Sequence, residues 1–196
     1  MLSFIFWAIA LIIAITVHEA AHAAAADHLG DPTPRSQGRL TLNPLSHLDP
    51  VGTIALLIFH FGWGKPVQFD PYNLRNPRRD SALISLAGPA SNLLLAALLS
   101  LSMKIFPFSD ILYSLFSVLI SLNVILAVFN LVPVYPLDGE KILTGILSPR
   151  LAQEYQGVMR QYGTLILIFL IIPFGGNSPI SALITPVISV LSNLLL

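Results

Sequence analysis

The sequence predicts an all-α polytopic membrane protein with a core of three transmembrane helices, and three observations carry that prediction. The chain is 55% hydrophobic and 10% charged, too apolar for a soluble domain. Several of its apolar runs reach the roughly 20 residues that cross a bilayer. Its basic residues gather in the polar stretches between those runs, as they do in cytoplasmic loops. Mean hydropathy is +0.77. The absence of cysteine excludes disulfides, thiolate metal ligands and a cysteine nucleophile, so a metal would have to be held by imidazole and carboxylate. Ten basic and ten acidic residues cancel, and nothing points to a nucleic-acid partner.

The first span is placed at 2 to 26, ahead of the helix stop Leu29-Gly30-Asp31-Pro32. Ala21-His22-Ala23 resembles a signal-peptide cleavage site, but no positive charge precedes the run and its apolar pattern continues through the alanines. Residues 31 to 50 carry four prolines and short alternating stretches, which predicts loop with strand character. The apolar run 51 to 63 is too short to cross and predicts a re-entrant or interfacial segment, so a re-entrant, β-hairpin-like unit should follow the first span. Lys65, Arg75, Arg78 and Arg79 then form a basic cluster that, with Arg35 and Arg39, marks the cytoplasmic face. A second span, 81 to 103, leads outward. A turn with Pro107 and Asp110 precedes a third, 111 to 132, which returns and is broken by Pro133 and Pro136. Lys141, Arg150 and Arg160 mark a second cytoplasmic stretch. Runs at 162 to 173 and 179 to 196, separated by Pro173-Phe174-Gly175-Gly176, predict a C-terminal helical hairpin or one kinked span. No repeat or polar linker divides the chain, so residues 1 to 196 read as one membrane-embedded domain. Trp7 and Trp63 suit the outer and inner interfaces.

The chemistry is concentrated in His18-Glu19-Ala20-Ala21-His22, an HExxH pentad inside an apolar helix. Imidazoles four residues apart on a helix lie on one face, one turn apart, and can grip one metal ion. Glu19 is then not a ligand but a base for the water that attacks a carbonyl. Each ionisable group in hydrocarbon costs about 2.5–3.5 kcal/mol, and a metal compensates that cost. A lone histidine in a span is ordinarily a hydrogen-bonding group, but three polar residues at this spacing are not explained that way. Catalytic zinc takes three protein ligands and leaves a position open. The best third ligand is Asp138, which follows Pro133 and Pro136 in Asn130-Leu131-Val132-Pro133-Val134-Tyr135-Pro136-Leu137-Asp138-Gly139. Such broken backbone is tolerated at membrane depth where protein or a wet cavity surrounds it. His47 and His60 each stand alone and suit hydrogen bonding or interfacial placement, and His28 should be solvated.

HEAAHA near the end of the first span, together with NLVPVYPLDG, resembles the site-2 protease family of intramembrane metalloproteases. The similarity covers nearly the whole chain, including Gly62-Trp63-Gly64-Lys65-Pro66-Val67, Asn73-Leu74-Arg75-Asn76-Pro77-Arg78-Arg79 and Gly88-Pro89-Ala90-Ser91-Asn92. The resemblance implies that His18, His22 and Asp138 bind one zinc ion and that Glu19 activates water. It also implies that Asn92 faces the active site as a substrate-positioning or oxyanion-stabilising residue. A buried amide among small residues equally suits a bond to a neighbouring helix. Asn130 would support the Asp138 loop. The implied substrates are transmembrane or membrane-proximal segments of membrane proteins, cut within the lipid bilayer of the cell membrane nearer its cytoplasmic side. The chain has no room for a PDZ or nucleotide-sensing domain and resembles the compact members. A substrate helix must unwind to expose its peptide bonds, and the segments 36 to 44 or 64 to 70 could hold it as an added strand, or plug the cavity instead. The alternative is a membrane metal-ion transporter or sensor using the same His/Asp cluster, although transport requires no base beside the ligands.

Overall fold

The computed structural model describes residues 2–59, 62–173 and 175–196, and among them eight α-helices carry the architecture. α1 (Leu2–His28) is uninterrupted, and its Ala10, Ala14, Ala23 and Ala26 are wholly buried. In lipid, where apolar burial gives little drive to associate, such small side chains let helices approach closely. The chain leaves α1 through Gly30, whose φ of 105° suits only glycine. Asp31 follows, fully buried, and clamps the region. It accepts bonds from the Thr33 amide (3.1 Å) and hydroxyl (2.6 Å), the Asp70 amide (2.7 Å) and the Asn73 side-chain amide (2.8 Å).

The β-hairpin-like unit expected after the first span does not form among the described residues. α2 (Thr33–Ser36), a 3-10 turn at Pro44–Ser46, α3 (Pro50–Phe59) and a 3-10 turn at Pro71–Asn73 occupy the region. A single antiparallel bridge joins Leu48 to Gly64. Prolines remove amide donors. In addition, Asn43, Asp49 and Asp70 capture the amides of Leu45, Gly52 and Tyr72, which a strand ladder would otherwise use. α3, at 10 residues, is about 15 Å long, half a hydrocarbon core.

α4 (Pro77–Ile105) opens on a proline at its first position, with Asp80 accepting from the Asn76 amide at 2.8 Å. Ser109 caps α5 (Asp110–Asn130). Ser3–His28, Pro77–Ile105 and Asp110–Asn130 are each long and apolar enough to cross a membrane, with mean hydropathies of 2.0, 1.8 and 2.4. α1, α4 and α5 pack on one another, and α4 also packs on α6 (Asp138–Ile146).

The C-terminal region is two helices, α7 (Pro149–Ile171) and α8 (Pro179–Leu195), reversed through Gly175 and Gly176 at positive φ. α7 begins well before the 162 expected. Pro149 starts it, and the polar residues that made the stretch look like a loop form its wet face. Ile180 and Ile184 pack on Ile166, Leu167 and Leu170 of α7, closing the hairpin. Further along α8, Ile188, Leu191 and Leu195 lie on Ala96, Ile120 and Val124 of α4 and α5. Trp7 packs on the Leu11, Ile15 and Leu56 cluster, and Trp63 is half exposed.

Burial by itself would raise the Asp31 carboxyl, but its four hydrogen bonds outweigh burial and lower its pKa below the ordinary 3.8. A folded-state value below the unfolded one stabilises the protein above the unfolded pKa, and that contribution is lost as pH falls through the folded one. Stability in detergent should therefore decline below about pH 4. Asp31→Ala should lower it by about 2 kcal/mol at pH 7 and flatten that decline. Equilibrium unfolding of both proteins across pH 3–7 checks this; an unchanged pH profile in the variant removes Asp31 as its source.

Candidate metal centre

The helical repeat of α1 puts His18 and His22 one turn apart, with ring centroids 4.6 Å apart and ring planes at 89°. Both are buried. His18 Nδ1 lies 2.6 Å from Asn92 Oδ1, and His22 Nδ1 lies 2.7 Å from the Ile84 carbonyl. A carbonyl can only accept, so His22 donates from Nδ1. The Asn92 amide nitrogen spends both hydrogens on the Ala14 carbonyl (3.0 Å) and Asn123 Oδ1 (2.8 Å), so its oxygen accepts from His18. Both rings thus carry a proton on Nδ1 and turn an Nε2 lone pair inward, which is the tautomer a metal requires.

Those two lone pairs meet Asp138. Its Oδ2 lies 3.0 Å from His18 Nε2 and 3.2 Å from His22 Nε2. The three ligand atoms lie within 4.8 Å of one another. Two lone pairs and a carboxylate oxygen repel unless positive charge sits among them, and a divalent cation with imidazole and carboxylate preferences matches that set. The carboxylate arrives there because α5 ends at Asn130 and the chain turns through Pro133 and Pro136 before Asp138 opens α6. The Tyr155 hydroxyl donates to the Pro133 carbonyl at 2.6 Å and braces that turn from α7. Asn130, expected to support the loop, donates back to Leu126 at 2.9 Å within its own helix.

Glu19 is partly exposed beside the ligands, and its Oε2 accepts from the Val67 amide at 2.7 Å. Asn92 lies at the site but faces the back of His18. Its oxygen and both hydrogens are engaged by His18, Ala14 and Asn123. His47 is buried outside the cluster and donates Nε2 to the Thr41 carbonyl at 2.8 Å, and His28 is exposed. His60 lies outside the described residues. Sequence reading missed Gly88, Asn123 and the Val67 amide as parts of the site. The first two had a signal: a small-residue pair beside Pro89, and a lone amide in an apolar span.

Two cavities are lined by other residues of the helices that carry the centre. An open groove of about 500 Å³ runs along α1 past Val17, Ala20, Ala21 and Ala24, with Leu40, Leu42 and Ser91 on its other sides. A second cavity of about 680 Å³ lies between α4, α6 and α7, with the charged residues Arg78, Glu140, Lys141 and Arg160 in its lining.

The profile of Peptidase family M50 matches residues 103–172, the part that carries Asp138. The chain is also 40% identical over 177 residues to "Putative zinc metalloprotease YwhC" of Bacillus subtilis, covering 85% of this chain and 80% of that protein. The chain belongs to peptidase family M50, the site-2 proteases. The Rip2 proteins of Mycolicibacterium smegmatis and Mycobacterium tuberculosis are 35% and 32% identical to it, and the chain spans 64% of the length of each. No solved structure matches this M50 chain.

Gly88 touches the imidazoles. A Cβ there would lie 2.5 Å from His22 Nε2 and 2.7 Å from His18 Cε1, and both rings are fixed from behind. Gly88→Ala should weaken zinc binding at least as much as loss of an outer-shell partner, about 10–100-fold, and Asn92→Ala should fall in that range. Zinc retained against a graded chelator reads both; wild-type retention in Gly88→Ala would show that the rings can move aside.

Proposed function

We infer that this M50 chain is an intramembrane zinc metalloprotease that hydrolyses peptide bonds in or near transmembrane segments of membrane-protein substrates. The observation that carries the reading is the meeting of His18, His22 and Asp138, with Glu19 adjacent, on a helix apolar enough to cross a bilayer. The zinc-metalloprotease names of its relatives support the same metal. One zinc per chain would be held by those three side chains, and when bound it supplies Lewis acidity that polarises a carbonyl and makes water acidic near neutral pH.

The chain's own residues do the rest. Glu19 takes a proton from the attacking water and delivers it to the departing nitrogen. Asn92 and the Ile84 carbonyl hold the two imidazoles in tautomer and orientation, so Asn92 is a positioning residue. The small side chains lining the 500 Å³ groove suit an apolar segment lying beside α1. Such a segment must be locally unwound, because a helix hides its peptide bonds in its own ladder. Strand addition at 64 to 70 would require release of bonds now made there, since Lys65 and Val67 are already engaged by Arg39 and Glu19. The basic residues between spans support a cell-membrane protein with its centre nearer the cytoplasm and α3 lying at or re-entering that interface. Residues 1 to 196 act as one membrane-embedded unit.

A single-span reporter with helix-destabilising residues, reconstituted with the protein in liposomes, tests the reading. Glu19→Gln should keep zinc near wild-type content and lose roughly 100- to 10,000-fold in cleavage rate. Asp138→Ala should lose both zinc and cleavage. Cleavage that survives Glu19→Gln would remove the base from the mechanism and favour the transport reading.

A further inference from the structure

Arg39 stands in a loop among other basic residues, yet it is only 5% exposed. It makes no ion pair with any described carboxylate. One guanidinium nitrogen, Nη2, donates to the Lys65 carbonyl, and the Nε–H is buried without a partner. Guanidinium does not shed its proton, so this is a permanent cation with an unused donor in a water-poor place. A buried donor of that kind calls for an explanation, and a reacting group is one.

Its surroundings supply the reacting group. Burial disfavours the charged form of Arg39 and lowers its pKa, and Glu19 is the anion whose attraction opposes part of that effect. Arg39 grips the carbonyl of Lys65 while Glu19 grips the amide of Val67, two residues on. The Cα atoms of those residues can be no more than about 7 Å apart. The guanidinium and the Glu19 carboxylate therefore hold one short stretch of main chain, by the carbonyl of one peptide unit and the amide of the next. Asn92, with every polar atom engaged, leaves the role of oxyanion donor vacant.

We propose that Arg39 is a catalytic residue whose free guanidinium N–H donates a hydrogen bond to the carbonyl oxygen of the scissile peptide. This role presupposes the hydrolase reading above. As the water oxygen bonds to the carbonyl carbon, the C=O π pair moves onto the carbonyl oxygen and Glu19 takes a water proton. Arg39 keeps all its own protons and stabilises the growing negative charge. When that pair returns, the C–N bond breaks and the proton held by Glu19 goes to the nitrogen, leaving a carboxylic acid and an amine. Donors aimed where charge develops act only in the transition state, so their loss falls on kcat.

With the single-span reporter in liposomes, Arg39→Gln should lower kcat about 100- to 1,000-fold with KM and zinc content nearly unchanged. Arg39→Lys should recover part of the loss, and millimolar guanidinium should partly restore Arg39→Ala. Cleavage by Arg39→Gln within threefold of wild type overturns the proposal, as does loss of zinc in parallel with activity. A second measurement needs no substrate: unfolding midpoints in detergent of wild type, Arg39→Gln, Glu19→Gln and the double variant. The double shift should depart from the sum of the single shifts by more than about 2 °C, because each charge compensates the other. Additive shifts overturn the placement of Arg39 beside Glu19. Coupled midpoints in a protein that cuts no reporter would instead end the hydrolase reading, and this role with it.

Discussion

Two imidazoles buried between apolar helices set the constraint on which the rest of this fold depends. A ring in such a place must satisfy its Nδ1–H without water, and it does so through Asn92 for His18 and the Ile84 carbonyl for His22. Both partners come from α4, which explains why that helix lies against α1 and why the residue facing the rings is Gly88. Asn92 is itself held by Ala14 and by Asn123 of α5. One polar chain therefore crosses all three spanning helices inside an apolar core. Such a network is favourable only when its members are satisfied, and here both hydrogens of the Asn92 amide are placed while the Asn123 amide donates to the Leu119 carbonyl.

The second half of the site reaches this frame by a different physics. Asp138 is delivered by a break in the backbone: Pro133 and Pro136 end α5 and α6 begins at the ligand itself. Val132, Val134 and Leu137 are buried around that turn, and Tyr155 ties it to α7. The rigid ligands stand on a long helix. The third stands on a turn that packing holds in place, so the centre joins two parts of the chain 120 residues apart.

Much of this was legible in the sequence because it is local or compositional. The HExxH spacing puts two imidazoles on one face of any helix, the hydropathy gives three spans, and the paired prolines mark the broken end that carries Asp138. What escaped was tertiary. An amide has both donor and acceptor, so sequence could place Asn92 near the site but not say that its hydrogens point at Ala14 and Asn123. Arg39 has the same sign as its neighbours in a loop, and only the packing of Lys65 and Val67 reveals that it is buried. Alternation at 38 to 42 suggested strand, but the amides of Gly38, Arg39 and Thr41 bond to nearby backbone carbonyls instead of a partner strand. The polar residues of α7 masked a helix because one of its faces stays wet.

The contact between Glu19 and Val67 is made by main chain, so no side chain at position 67 other than proline alters the donor itself. Its strength is set from a distance, by whatever fixes residues 64 to 73, and the chief anchor there is Asp31 with its bonds to Asp70 and Asn73. The Val67 amide occupies one oxygen of the Glu19 carboxylate and leaves the other open. Under the hydrolase reading, a substrate that took the place of this main-chain strap would exchange one peptide amide for another at the occupied oxygen.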